Sequence, residues 1–272
     1  MGYPGSTGNA DRATSTTDGQ ISARLLLAAI AVWFAWSAGA ALAAPALYDK
    51  PARVQHLPLP ADPQNPQAKP VLSCFYFRHF MVKEVDLGEL GAEQLSILPI
   101  EAGHQAPVCR RDNAADEKLV SPDDWSGYFD GVKGDYVFFS AEDGWNDGMG
   151  FAVFTAADAK KVFEDVAKKW RSIVLMPSGI AMRYQRVYGA KCSLQADKPG
   201  CWQQIERDTG LHGAAPDCTA AYVAEEKRTP TMVQGVINDP TIVDYEAAAS
   251  IGPGGSTIAP VTGKAIACRP SE

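Results

Sequence analysis

Two short stretches carry the residue types from which a carbohydrate site could be built. One is Ser121-Pro122-Asp123-Asp124-Trp125-Ser126-Gly127-Tyr128-Phe129-Asp130; the other is Glu142-Asp143-Gly144-Trp145-Asn146-Asp147-Gly148. Each sets an indole beside carboxylates. A flat ring stacks on the apolar face of a sugar while carboxylates accept from its hydroxyls. Asp124, Trp125, Asp143, Trp145 and Asp147 are therefore the candidate binding residues. Two carboxylates held about 5–9.5 Å apart would extend this to glycoside hydrolysis. The same residues have a plainer use, because Asp, Asn and Gly form tight turns while Trp and Tyr cover the edge of a core. Turn chemistry alone accounts for both loops, so this use is favoured and no catalytic role is assigned.

Other signatures of chemistry are missing. No HExxH, GxSxG, P-loop or GxGxxG pattern occurs, which removes the commonest motifs of metalloproteases, α/β-hydrolases and nucleotide sites. Of the four histidines, His56 lies in the proline-rich stretch, and His79, His104 and His212 each read as a structural histidine. Ser178, in Pro177-Ser178-Gly179, reads as a turn. The second acidic loop fails the EF-hand template, since Trp145 takes a ligand position and Phe154 stands where a bidentate Glu is needed. No cofactor and no metal are expected.

The six cysteines, Cys74, Cys109, Cys192, Cys201, Cys218 and Cys268, point elsewhere. No CxxC occurs, so zinc knuckles and redox pairs are disfavoured. An even count reads as three disulfides in an oxidising compartment. Closure between neighbours gives Cys74 with Cys109, Cys192 with Cys201, and Cys218 with Cys268.

A leader agrees with that compartment. Leu25 to Trp36 is an uncharged, mostly apolar run behind Arg24, and small residues then lead to Ala41-Leu42-Ala43. This has the form of a signal peptide cleaved after Ala43. The alternative is an uncleaved anchor, because no charge appears between Arg24 and Asp49 and about 20 residues can span a bilayer. Lys and Arg number 25 against 32 Asp and Glu in 272 residues, a net charge of −7. The leader is itself neutral, so the acidity belongs to the exported part. That balance argues against nucleic acid as a partner, since its binders need a basic face.

The elements that must position these residues follow from composition and spacing. Seven prolines between Pro45 and Pro70 read as an extended tether over 44–70, with one exported domain over 71–272. Val71 to Val85 reads as strand, broken near His79, and Gln94 to Ile100 as another. Arg110 to Asp124 reads as surface loop. Tyr136-Val137-Phe138-Phe139-Ser140-Ala141-Glu142-Asp143 is echoed fifteen residues later by Phe151-Ala152-Val153-Phe154-Thr155-Ala156-Ala157-Asp158. That spacing suits consecutive strands of a meander, turning between Asp143 and Gly150. Over 158–171, Val162, Phe163, Val166, Ala167 and Trp170 share a helical face, which favours a helix over a short strand at Lys161–Glu164. Ile180 to Tyr188 alternates like a strand. Cys201–Gly210 and Thr219–Lys227 read as short helices. Thr231–Tyr245 and Pro260–Cys268 return to strand-like composition, with Gly252–Gly255 as a loop.

The expected fold is mainly β: an antiparallel meander or sandwich, stapled by disulfides, with a few short peripheral helices. The expected function is a periplasmic or secreted binding or interaction protein of the cell envelope, without enzymatic activity. Its partner would be an envelope protein or a glycan, and a membrane only if the N-terminal segment stays uncleaved. The alternative is a glycan-acting hydrolase of the envelope that uses carboxylates of loops 121–130 and 142–148.

Overall fold

Short apolar runs separated by glycine and proline turns find antiparallel partners along most of the chain. The computed structural model describes residues 46–228 and 235–271. The predicted leader and its cleavage after Ala43 lie outside the described residues. Strands β1 (Arg53–Pro58), β2 (Val71–Tyr76), β3 (Phe80–Asp86), β4 (Gln94–Pro99) and β5 (Lys118–Leu119) form one antiparallel sheet in that spatial order. A second antiparallel sheet runs through β6 (Gly127–Lys133), β7 (Tyr136–Trp145), β8 (Gly148–Thr155), β9 (Lys161–Met176), β10 (Gly179–Gly189), β11 (Thr241–Gly252) and β12 (Gly255–Pro260). Strand β13 (Ala267–Pro270) pairs with β11. Helices α1 (Lys198–Thr209) and α2 (Thr219–Arg228) occupy the connection from β10 to β11. The expected mainly β, disulfide-stapled architecture of meanders with short helices is the fold of the protein.

The two sheets pack face to face through alternate side chains. Phe80, Val82, Leu95 and Ile97 of the smaller sheet meet Val132, Val137, Phe139, Ala152 and Phe154 of the larger. Residues of opposite parity, such as Phe138, Phe151 and Val153, join a second core with Trp202 and Ile205 of α1. Strands β7 and β8 are thus covered on both faces, which explains their unbroken apolar runs. Each fully buried aromatic ring here contributes about 2–3 kcal/mol. A third cluster, Leu72, Cys74, Met81, Val85, Leu98 and Cys109, lies on the other face of the smaller sheet.

The fifteen-residue echo is a hairpin, as its spacing implied. Tyr136 faces Thr155 and Phe139 faces Ala152 across β7 and β8. The turn is tighter than 143–150: Trp145 pairs with Gly148, which leaves Asn146 and Asp147 at the bend with φ of 49° and 59°. Such a two-residue turn needs positive φ at both positions, and Asn and Asp tolerate it best after glycine. All three disulfides join the expected neighbours, Cys74–Cys109, Cys192–Cys201 and Cys218–Cys268.

Three expectations are corrected. The stretch 158–171 is not helix: after a turn that ends at Lys160, Lys161–Met176 is one sixteen-residue β-strand with partners on both sides. Its register slips against β10 between Arg183 and Tyr184 and again between Gln185 and Arg186. These irregularities break the two-residue period and leave apolar residues at helical spacing. Within the proline-rich stretch, 53–58 is not a free tether but edge strand β1, paired with β2 from Arg53↔Tyr76 to Pro58↔Val71. An edge position accepts prolines because their missing N–H faces away from the ladder. Near the C-terminus, 231–234 of the expected strand Thr231–Tyr245 lie outside the described residues; from 235 the chain makes a 3₁₀ turn at Val236–Asn238 and strand runs from Thr241, and Pro260–Cys268 is split into the end of β12 and the start of β13.

Candidate functional site

The five residues singled out from sequence have separate fates. Trp125 is partly buried against the inter-sheet core, and its Nε1–H donates to the Ser140 carbonyl at 3.2 Å. Asp124 is exposed, and its main-chain carbonyl accepts from Lys161 Nζ at 2.7 Å. Asp143 is exposed in the irregular part of β7, between Ser140 and Gly144. Trp145 is 46% exposed and lies over Gly189 of β10. Asp147, at the hairpin bend, is bound by Lys168 at 3.2 Å and stands 3.7 Å from Arg269. The hydrogen bond and charge of Lys168, with Arg269 behind it, hold the Asp147 carboxyl below the usual range. It is an ionised, paired group rather than a proton donor.

That ion pair belongs to a cluster that sequence spacing did not reveal. Arg269 Nη1 donates to Asp244 Oδ2 at 2.5 Å, and Lys168 Nζ lies 3.5 Å from the same oxygen. Asp244 is only 4% exposed. The cluster ties the β7–β8 bend to β9, β11 and β13. A second buried network joins Asp165 to Tyr184 and Arg186, and Arg186 to the Tyr245 hydroxyl at 2.7 Å. Burial, then the neighbouring Asp165, pushes the Tyr184 hydroxyl far above its ordinary value. The second network pairs its buried charges within the sheet, whereas the first leaves Asp244 Oδ1 and Arg269 Nε without a hydrogen-bond partner.

The surface offers two other features. The bend between β9 and β10 presents Val174, Leu175 and Met176, which are 48%, 57% and 49% exposed. Leu175 and Met176 border a depression of about 610 Å³ also lined by Tyr136, Val162, Ile251 and Pro253. A Cβ on Gly179, whose φ is 152°, would lie 1.9 Å from the Ile251 carbonyl oxygen, so only glycine lets β10 approach β11 there. Three consecutive exposed apolar residues stand out from the singly scattered ones of an ordinary surface.

The other feature is charged and buried. Lys83 of β3 and Glu117 meet at 2.6 Å with side chains 1% exposed. Glu117 also accepts from Ser96 Oγ at 2.6 Å, Gln94 Nε2 at 2.9 Å and the Ala114 N–H at 2.9 Å. Burial alone would raise its carboxyl, but these bonds and Lys83 bring it below the usual glutamate range. A signal for this pair was present in the sequence. Lys83 shares its strand face with Met81 and Val85, so two-residue alternation places a charge on an apolar face.

Among the described residues no group of three or more His, Cys, Asp or Glu is placed to hold a metal ion, and no helix is long and apolar enough to cross a membrane. Comparison of the chain with protein-family models, with curated proteins and with solved structures finds no match.

Proposed function

We propose that the chain is an exported binding or interaction module of the cell envelope, periplasmic or secreted after cleavage behind Ala43, and that it has no catalytic role. Its contact surface is the β9–β10 bend, and its partner is an envelope protein that presents apolar side chains. The observation that carries this reading is the exposed run Val174, Leu175 and Met176 beside the bend where Gly179 lets β10 approach β11. Three disulfides support an oxidising compartment. The state of Asp147 speaks against using it as a general acid, because its two cations keep it ionised.

The test is cross-linking in intact cells followed by purification from the envelope fraction, with the wild type beside Leu175→Asp/Met176→Asp. The wild type should capture a discrete partner that the variant loses while its circular dichroism and melting temperature are unchanged. A partner retained equally by both would refute the surface. N-terminal sequencing of the purified protein should begin at Ala44, and an intact Met1 would support the anchored alternative.

A further inference from the structure

A lysine and a glutamate removed from water in a β-sheet are costly, and apolar residues of similar size often stabilise a fold as well or better. The surroundings of Lys83 give it a chemical use. We infer that Lys83 and Asn113 are the two halves of an intramolecular amide cross-link, whose formation is promoted by Glu117 and Gln94.

The nucleophile, the proton carrier and the carbonyl are already assembled. Lys83 Nζ lies 2.6 Å from Glu117 Oε1 and 3.3 Å from Asn113 Oδ1. It also donates to the main-chain carbonyls of Arg111 at 3.3 Å and Asp112 at 3.5 Å. An ammonium has no lone pair and cannot attack. Transfer of one proton to Glu117 converts the ion pair into a neutral amine and a neutral acid, a change that burial favours and that the hydrogen bonds holding Glu117 ionised at rest oppose. The two hydrogens that remain on Nζ have acceptors in Arg111 and Asp112, so the lone pair is left for the Asn113 carboxamide carbon. Gln94 Nε2 donates to Asn113 Oδ1 at 2.8 Å, where negative charge develops during attack, and to Glu117 Oε1 at 2.9 Å. Fixing these groups in one place replaces a bimolecular encounter with an internal one.

The step balances without an oxidant or a co-reactant. The Nζ–Cγ bond forms and the Cγ–Nδ2 bond of Asn113 breaks. Of the three protons on the lysine nitrogen, one stays in the new amide. The other two pass through Glu117 to the departing Nδ2, which leaves as ammonium, and Glu117 ends as a carboxylate. Asn113 is exposed, so the leaving group passes directly into solvent. Cys74 faces Lys83 across β2 and β3 and is bonded to Cys109. The cross-link would therefore fasten to β3 the chain that follows Cys109, so that one segment is held by two covalent bonds.

The test is mass spectrometry of the full-length purified protein under denaturing, non-reducing conditions, with wild type and Asn113→Ala prepared alike. Asn113→Ala removes the electrophile but keeps the Lys83–Glu117 pair, so it should fold. The wild type should weigh less than its disulfide-bonded sequence by one ammonia, and the variant should show its full mass. A succinimide gives the same deficit, so a peptide map decides: the Lys83 and Asn113 peptides should appear joined. Glu117→Gln, if it folds, should leave them separate. A wild type at full mass, or a deficit with those two peptides unlinked, overturns the proposal.

Discussion

Arg269 of β13 donates to the main-chain carbonyl of Asn146 at the β7–β8 bend, 123 positions earlier in the chain. The same guanidinium bonds Asp244, so one side chain gathers the bend and β11. Arg269→Met should leave Asp244 nine-tenths buried with only Lys168 near its charge. The expected loss is about 2–3 kcal/mol, less than for a fully enclosed pair because Arg269 itself is 19% exposed. Asp244→Leu added to Arg269→Met should recover most of it, since the uncompensated charge is then gone. Denaturant unfolding of the four proteins of this cycle measures the coupling, and losses that simply add would count against the cluster.

Trp145 and Gly189 make a second checkable contact. A Cβ on Gly189 would stand 2.3 Å from the indole, so Gly189→Ala should push the ring off β10 and toward water. A half-exposed ring can move, so the cost should be about 1 kcal/mol. The emission of Trp145, obtained by subtracting the spectrum of Trp145→Phe, should shift to the red. An unchanged spectrum would mean that the indole does not rest on β10.

The sequence revealed local pairings better than distant ones. Cysteine neighbours, the β7–β8 echo and the glycine stop at Gly210 are all short-range signals, and each has a structural counterpart. The helical reading of 158–171 failed because it weighed periodicity within one segment. The partners β8 and β10 supply hydrogen bonds on both edges of β9, and its register slips disguise the alternation. The two acidic loops illustrate the same limit. Residue type marked Trp125 and Trp145 alike, but only tertiary packing makes one a partly buried wedge and the other an exposed ring. Lys83 was legible as a charge out of phase with its strand, whereas the nearness of Asn113 and Gln94 was not, since both lie elsewhere in the chain.

The disulfides should differ in worth according to the loop each closes. Cys218 and Cys268 are separated by 50 positions and Cys192 and Cys201 by 9. Restriction of the unfolded chain assigns about 4 kcal/mol to the first and about 3 kcal/mol to the second. Paired Cys→Ser variants compared by denaturant unfolding should show the larger loss for Cys218→Ser/Cys268→Ser. The reverse order would indicate that strain or residual structure in the unfolded chain outweighs loop length.

Glu84 should impose a pH dependence opposite to that of a paired carboxylate. It sits on β3 and accepts the Phe129 N–H of β6 at 2.6 Å, bridging the two sheets. Burial raises its pKa, the Phe129 bond opposes the rise, and Asp86 adds to it, for a net upward shift. The folded state therefore holds the proton more tightly than the unfolded chain does. Its contribution to stability is complete below the ordinary glutamate pKa and is lost as pH rises through the raised value. Glu84→Gln keeps an oxygen for the Phe129 N–H and removes the titration. The variant should lose this component of the decline between mildly acidic and neutral pH and be more stable than the wild type at pH 7. Urea unfolding at stepped pH measures both, and parallel profiles for the two proteins would show that Glu84 titrates alike in the folded and unfolded chain.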